Sequence, residues 1–168
     1  MVFADQLDDP LLHELYAYWR GKCRGRRMPR RSDIDPSEMA RLLPHLLISE
    51  VVEGGERFRF RLAGTAIASA LGGDSTGRLV EEVAEGSYRD FINGLHRTVC
   101  REQASLFAEG PHLAGTRGEH YYAKRLLMPL FEDGIAVNQI LAMLTFRFTA
   151  RGRAMTVLDA PLLAGTAE

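Results

Sequence analysis

The sequence predicts an α+β domain, a five-stranded antiparallel sheet with its helices inserted between the second and third strands. Three observations predict it. Runs rich in Leu, Ile, Val and Phe fall into two groups, 46–63 and 104–148, with a stretch of helical periodicity between them. Gly-rich turn signals divide each group into strands short enough to pair as neighbours. The last strand is apolar on both faces and so needs two covers, and an amphipathic segment ahead of the first strand is available to supply one.

The elements follow in order. Asp9-Pro10 is a helix start, an N-cap acid and then a proline at the first helical position. Leu11, Leu12, Leu15, Tyr16 and Trp19 make one apolar stripe of a helix from Pro10 to about Lys22, ended by Gly21 and Gly25. A connector with one or two helical turns runs to Pro44. In it Asp35-Pro36-Ser37-Glu38 opens a short helix, with Glu38 placed to complete a capping box and Pro44 to stop it. Leu46 to Val52 is a strand, Glu53-Gly54-Gly55-Glu56 a turn, and Arg57 to Ala63 a second strand. That second strand alternates Phe58, Phe60 and Leu62 with Arg57, Arg59 and Arg61, a pattern suited to a sheet edge.

Thr65 to Leu71 and Leu79 to Val83 read as short helices. Ser87 caps a longer one from Tyr88 to about Arg101, with Tyr88, Phe91, Ile92, Leu95 and Val99 on its apolar face. Ala104 to Leu113 is a weak strand, Gly115-Thr116-Arg117-Gly118 a turn, and His120 to Leu130 a long strand. Glu132-Asp133-Gly134 is a hairpin signal. Val137 to Phe148 places Leu141 and Met143 on one face and Ile140, Ala142, Leu144 and Phe146 on the other, which makes it a central strand. The chain therefore divides into an N-terminal helix and basic connector (1–44), the sheet-and-helix domain (45–148) and a tail (149–168) that reads as loose.

Composition fits this class. The 168 residues are 46% apolar and 26% charged, which excludes collagen-like, coiled-coil and disordered chains. No apolar run approaches the roughly 20 residues of a membrane helix. The acidic first ten residues do not read as a secretory signal. Cys23 and Cys100 lie far apart and form no metal or redox spacing, so a reducing cytoplasm is expected. The net charge of −1 hides a segregation. Arg20, Lys22, Arg24, Arg26, Arg27, Arg30 and Arg31 form a run without an acid, against a remainder of −8.

This order resembles the PAS domain, an α+β sensor module. The residues behind the resemblance are Arg61-Leu62-Ala63-Gly64-Thr65, the segment Leu71 to Arg78 with its paired glycines, and Met128-Pro129-Leu130 followed by Asp133-Gly134. Tyr18-Trp19-Arg20, Met28-Pro29-Arg30-Arg31 and Asp33-Ile34-Asp35-Pro36 resemble a narrower group, stand-alone bacterial proteins made of little more than one PAS domain. The resemblance covers about Leu11 to Phe148. It implies a sensing or interaction module whose helices and sheet enclose a ligand pocket or a filled core. Haem-binding PAS domains use a histidine on the helix where His96 stands. Read from its own position, His96 is a boundary residue with one nitrogen in water. Flavin-binding PAS domains use a cysteine in an Asn-Cys-Arg motif on an earlier helix, and that region has no cysteine here.

Candidate functional residues follow. None of the five histidines, His13, His45, His96, His112 and His120, stands in a metal or catalytic arrangement. GxSxG and phosphate loops are missing too, so no catalytic residue, metal ligand or cofactor is assigned. A small-molecule site is expected between the long helix and the sheet, from Phe60, Leu62, Tyr88, Phe91, Leu95, Tyr122, Arg125 and Met143. Tyr122 and Arg125 differ by an odd number and face opposite sides of a regular strand. Tyr122 is taken as the cavity residue, because a buried Arg125 would need a paired acid. The Leu11, Leu12, Leu15, Tyr16 and Trp19 stripe is expected on the outer face of the sheet, within the chain or as the contact of a homodimer. With no output domain after Phe148, a signal would pass to another protein. Two alternatives stay open: an interaction protein with a filled core, and an anion- or nucleic-acid-binding module built on Arg20 to Arg31. For that run, salt bridges are the simpler reading than nucleic acid.

Overall fold

The Asp9 carboxylate accepts from the Leu11 N–H at 3.0 Å and starts α1, Pro10–Cys23. The structure is a computed structural model and describes residues 7–113, 120–148 and 162–165. After α1 come a 3-10 turn, Arg31–Asp33, and a 3-10 segment, Pro36–His45, kinked at Met39. Glu38 does not complete a capping box. Asp35 alone caps, accepting from the Ser37 N–H at 2.9 Å, while Glu38 accepts from the Tyr18 hydroxyl at 2.8 Å and pairs with Lys22. Nor does Pro44 stop the segment, which closes one residue later.

The strands fall where turn residues bound them: β1 Leu46–Val52, β2 Arg57–Ala63, β3 Ser105–Leu113, β4 His120–Leu130 and β5 Gln139–Phe148. Between β2 and β3 lie α2 (Thr65–Leu71), α3 (Val80–Val83) and α4 (Gly86–Glu102). Glu85, not Ser87, is the N-cap position of α4. The five strands form one antiparallel sheet in the order β2-β1-β5-β4-β3. β5 is central, as its two apolar faces require, and the Arg-lined β2 is at an edge. A sixth strand, β6 (Leu162–Gly165), pairs with β3 and extends the other edge. The expectation of a patternless tail is therefore corrected over 162–165. The rest of 149–168 and the Gly115-Thr116-Arg117-Gly118 turn lie outside the described residues.

Two local features set which side chains face which way. Between Ile48 and Ser49 the β1–β2 register shifts: Ser49 opposes Phe60, but Ile48 opposes Leu62, so Arg61 is the extra residue of a bulge. Past a bulge the alternation inverts. Phe58 and Phe60 point inward and are buried, whereas Leu62 is turned out and is 40% exposed. Gly64 joins β2 to α2 against the end of the connector. A methyl at its Cα would run into the carbonyls of Leu43 and Pro44, so glycine is needed here for close approach.

The sheet has a cover on each face. α4 lies on the inner face with Tyr88, Leu95 and Val99 buried. α1 lies on the outer face with Leu12, Leu15 and Trp19 buried, and the Trp19 indole N–H donates to the Pro129 carbonyl at 3.0 Å. Leu11 and Tyr16 are partly buried against the same core, which runs without a break from Leu7 through α1 and the connector to the sheet. The expected stripe is thus used inside one chain. Leu12, Leu15 and Trp19 are covered within the chain, whereas Leu11 and Tyr16 keep part of their surface open.

Candidate functional site

Between α4, α2, α3 and the inner sheet face lies a cavity of about 40 Å³. At ~10–15 Å³ for each water, it has room for about three waters or a group of similar size. Strand register builds its floor. Leu47 opposes Ala142, Leu127 opposes Ala142 from the other side, and Arg125 opposes Leu144, so these five side chains share one face. Phe60 closes the β2 side. Ile67, Leu71, Val80 and Val83 come from the two short helices, and Tyr88, Ile92, Leu95 and His96 from α4. No Asp or Glu is among these described lining residues.

Four polar side chains interrupt the apolar wall, all of them buried: Tyr88, His96, His112 and Arg125. Arg125, only 2% exposed, donates to the carbonyls of Gly110 and Ala123 at 3.3 and 3.2 Å and, at 3.5 Å, to the Tyr88 hydroxyl. Its guanidinium also lies over the rings of Phe91 and Tyr88, at 5.4 and 6.0 Å. The Tyr88 hydroxyl is 2.7 Å from His112 Nδ1. With one proton and two lone pairs, that hydroxyl bridges the Arg125 guanidinium and the His112 ring. Nε2 is buried without a well-formed hydrogen bond, although the Ala70 backbone acts on the ring. Burial, and then the charge of Arg125, hold the His112 pKa down to about 3. The ring is neutral at physiological pH.

His96 is neutral as well. Burial lowers its pKa to about 4. Its Nδ1 is 2.8 Å from the Ile92 carbonyl, to which it donates, and its Nε2, 3.0 Å from the Ser49 hydroxyl, accepts from it. The expectation of a boundary histidine with one nitrogen in water is therefore corrected: both nitrogens are bonded inside the core. Haem does not fit this site. The cavity is far smaller than a porphyrin, and the Nε2 lone pair an iron would need already binds Ser49. Among the described residues no group of His, Cys, Asp and Glu gathers as metal ligands.

Of the eight residues expected at a ligand site, Phe60, Tyr88, Leu95 and Arg125 line the cavity. Phe91 stands behind Arg125. Three are elsewhere. Leu62 is turned outward by the bulge. Met143 alternates with Ala142 and Leu144 and so faces the α1 side. Tyr122 also faces away from the cavity, and its hydroxyl donates to Glu109 at 3.1 Å. The choice between Tyr122 and Arg125 is thus reversed. Backbone carbonyls, a hydroxyl and two aromatic faces are among the partners of the guanidinium. His112 and His96 line the cavity although neither stood in the expected ligand set, and Ser49 joins them as the partner of His96. Each falls at an inward position of its element once the register is known.

Five of the seven cations of the basic run, Lys22, Arg26, Arg27, Arg30 and Arg31, make contacts within the fold. Arg26 pairs with Asp33 at 2.6 Å and donates to the carbonyls of Lys22 and Cys23. Arg26 and Arg30 lie over the Phe131 ring at 5.6 and 5.8 Å. Arg27 reaches the Glu102 carbonyl and the Gln103 side chain, Lys22 pairs with Glu38, and Arg31 donates to the Ile34 carbonyl. These contacts fasten the connector to α1, to α4 and to the end of β4.

No helix among the described residues is long and apolar enough to cross a membrane. No curated protein matches the chain. A family model described as a PAS domain matches residues 7–145, which takes in α1, the connector, the inserted helices and nearly all of the five-stranded sheet. The chain belongs to the PAS domain family.

Proposed function

We propose that this chain is a sensory or regulatory module that binds a small molecule in the cavity between α4 and the sheet and passes the event to a protein partner, without catalysis. One observation carries the reading: Arg125, Tyr88 and His112 converge, hydrogen-bonded in series, on the wall of an otherwise apolar cavity. Two of the walls are α2 and α3, only seven and four residues long, so a ligand that prefers one packing of these helices over another shifts their equilibrium. A reducing cytoplasm fits the two free thiols, Cys23 and Cys100. Native mass spectrometry of freshly purified protein tests the reading. A retained mass of small-molecule size, lost on denaturation, is the expected result. Failure of every small-molecule library to change the melting temperature or the inner-face NMR signals would overturn it.

A second reading has its own support. The cavity is small beside the roughly 300–1,000 Å³ of drug-sized pockets. The same fold would then act as a protein-interaction domain whose cavity holds only water. An Ala142→Val substitution separates the two, since it narrows the cavity and leaves the molecular surface alone. Loss of regulation with unchanged partner binding supports the sensor, and no change in either supports the interaction domain.

A further inference from the structure

We propose that the β3 edge is the docking site for the protein partner. An extended partner segment adds a strand there and places a Ser or Thr opposite Ser105, and β6 is a placeholder that this segment displaces. The proposal rests on the reading above only for the existence of a protein partner. A sheet edge offers a row of backbone donors and acceptors, and an extended segment is the occupant that matches them. The β2 edge is closed by nearby chain: the Phe60 N–H donates to the Arg78 carbonyl at 2.9 Å, and the Gly77 N–H to the Phe60 carbonyl at 2.6 Å. Among the described residues, the β3 edge is met only by β6, whose four residues pair with Ser105–Ala108 of the nine-residue β3.

The fit of β6 is incomplete at one position. Ser105 is only 3% exposed, and its hydroxyl is buried with no hydrogen-bond partner among the described residues. Gly165 stands opposite it across the strand pair and has no side chain with which to bond it. A buried hydroxyl left unpaired is unfavourable, and a hydroxyl directly across the sheet is a ready partner for it. A Ser or Thr at that place in an incoming strand bonds Ser105 and gives the partner an advantage that the tail lacks. The same strand reaches the cavity. His112 lines it, and the Gly110 carbonyl accepts from Arg125 at 3.3 Å. Whatever pairs with β3 and whatever fills the cavity therefore act on one strand.

The test is fluorescence anisotropy with labelled peptides of residues 159–168, one carrying Gly165→Thr and one Gly165→Val. Each is titrated with the full natural chain and with the full chain bearing Leu163→Pro and Ala164→Pro together. Adjacent residues of a strand aim their N–H groups to opposite sides, so the proline pair removes a β6 donor to β3 whichever of the two supplies it. Freed of a tail whose effective concentration is ~mM, the proline chain should bind the Thr peptide at least ~10-fold more tightly than the natural chain does. Val shares the strand preference of Thr without its hydroxyl, so the Thr peptide should bind ~5-fold more tightly than the Val peptide, the scale of one hydrogen bond. Ser105→Ala should erase that difference. If the proline chain does not fold, the Thr-to-Val ratio on the natural chain and on Ser105→Ala still decides. Equal binding of the two peptides, a preference that survives Ser105→Ala, equal affinity of the natural and proline chains, or no binding at all overturns the proposal. Each of these leaves the cavity reading to native mass spectrometry and the library screen. A second copy as the occupant overturns it too, and shows as a dimer of the natural chain that the proline pair dissociates.

Discussion

Two imidazoles that ordinarily titrate near pH 6.5 are held neutral in this core, His96 with a pKa of about 4 and His112 of about 3. The sign of the linkage follows. In the unfolded chain both rings take up protons below about pH 6.5, and in the folded chain they resist until far lower pH. The unfolded state therefore binds more protons across that window, and stability falls as pH falls. Between pH 7 and pH 5 each ring should remove about 2 kcal/mol. Urea denaturation at several pH values checks this. His96→Gln should flatten about half of the slope, and an unchanged slope would mean that the ring is charged in the native state. The sequence showed these histidines as isolated letters, because their value depends on which strand face they reach. The same holds for Arg125 and Leu62. Alternation within one strand was legible, but the bulge opposite Ser49 and the carbonyls that receive Arg125 arise from pairing between strands, and no single-strand pattern contains them.

Elements were far more legible than side-chain partners. β1 and β2 fall at the expected bounds because glycines and charged turn residues punctuate them. Asp9-Pro10 starts α1 by local chemistry alone. The β6 strand was not legible, since four residues of Leu, Ala and Gly gain strand character only from the free edge of β3. Two predictions belong at this scale. Trp19 anchors α1 at 1% exposure with its indole N–H bonded to Pro129, and Trp19→Ala should cost about 3–5 kcal/mol in denaturant unfolding. An unchanged midpoint would show that α1 is loosely held. Gly64→Ala drives a methyl into the carbonyls that end the connector, and should cost about 3 kcal/mol or more, the upper end of overpacking. If that variant melts with the natural protein, the β2–α2 junction is open enough to give way.

At the scale of the whole molecule, the sheet divides the interior into two layers with separate tasks. The inner layer contains the cavity, and the outer layer is sealed by α1 and the connector. Removal of residues 1–23 should leave Leu46, Ile48, Leu141 and Met143 bare on the outer face, and the shortened chain should aggregate in size-exclusion chromatography. A soluble, monomeric product with the original melting temperature would show that α1 is dispensable. The layering has another consequence. The chain has one tryptophan, and it stands across the sheet from the cavity, in contact with the backbone of β4. Arg125 belongs to that same strand and borders the cavity on the opposite side. Indole emission therefore serves as a built-in optical gauge of transmission. A ligand that only fills the cavity leaves the emission maximum where it was, and one whose effect crosses β4 moves it.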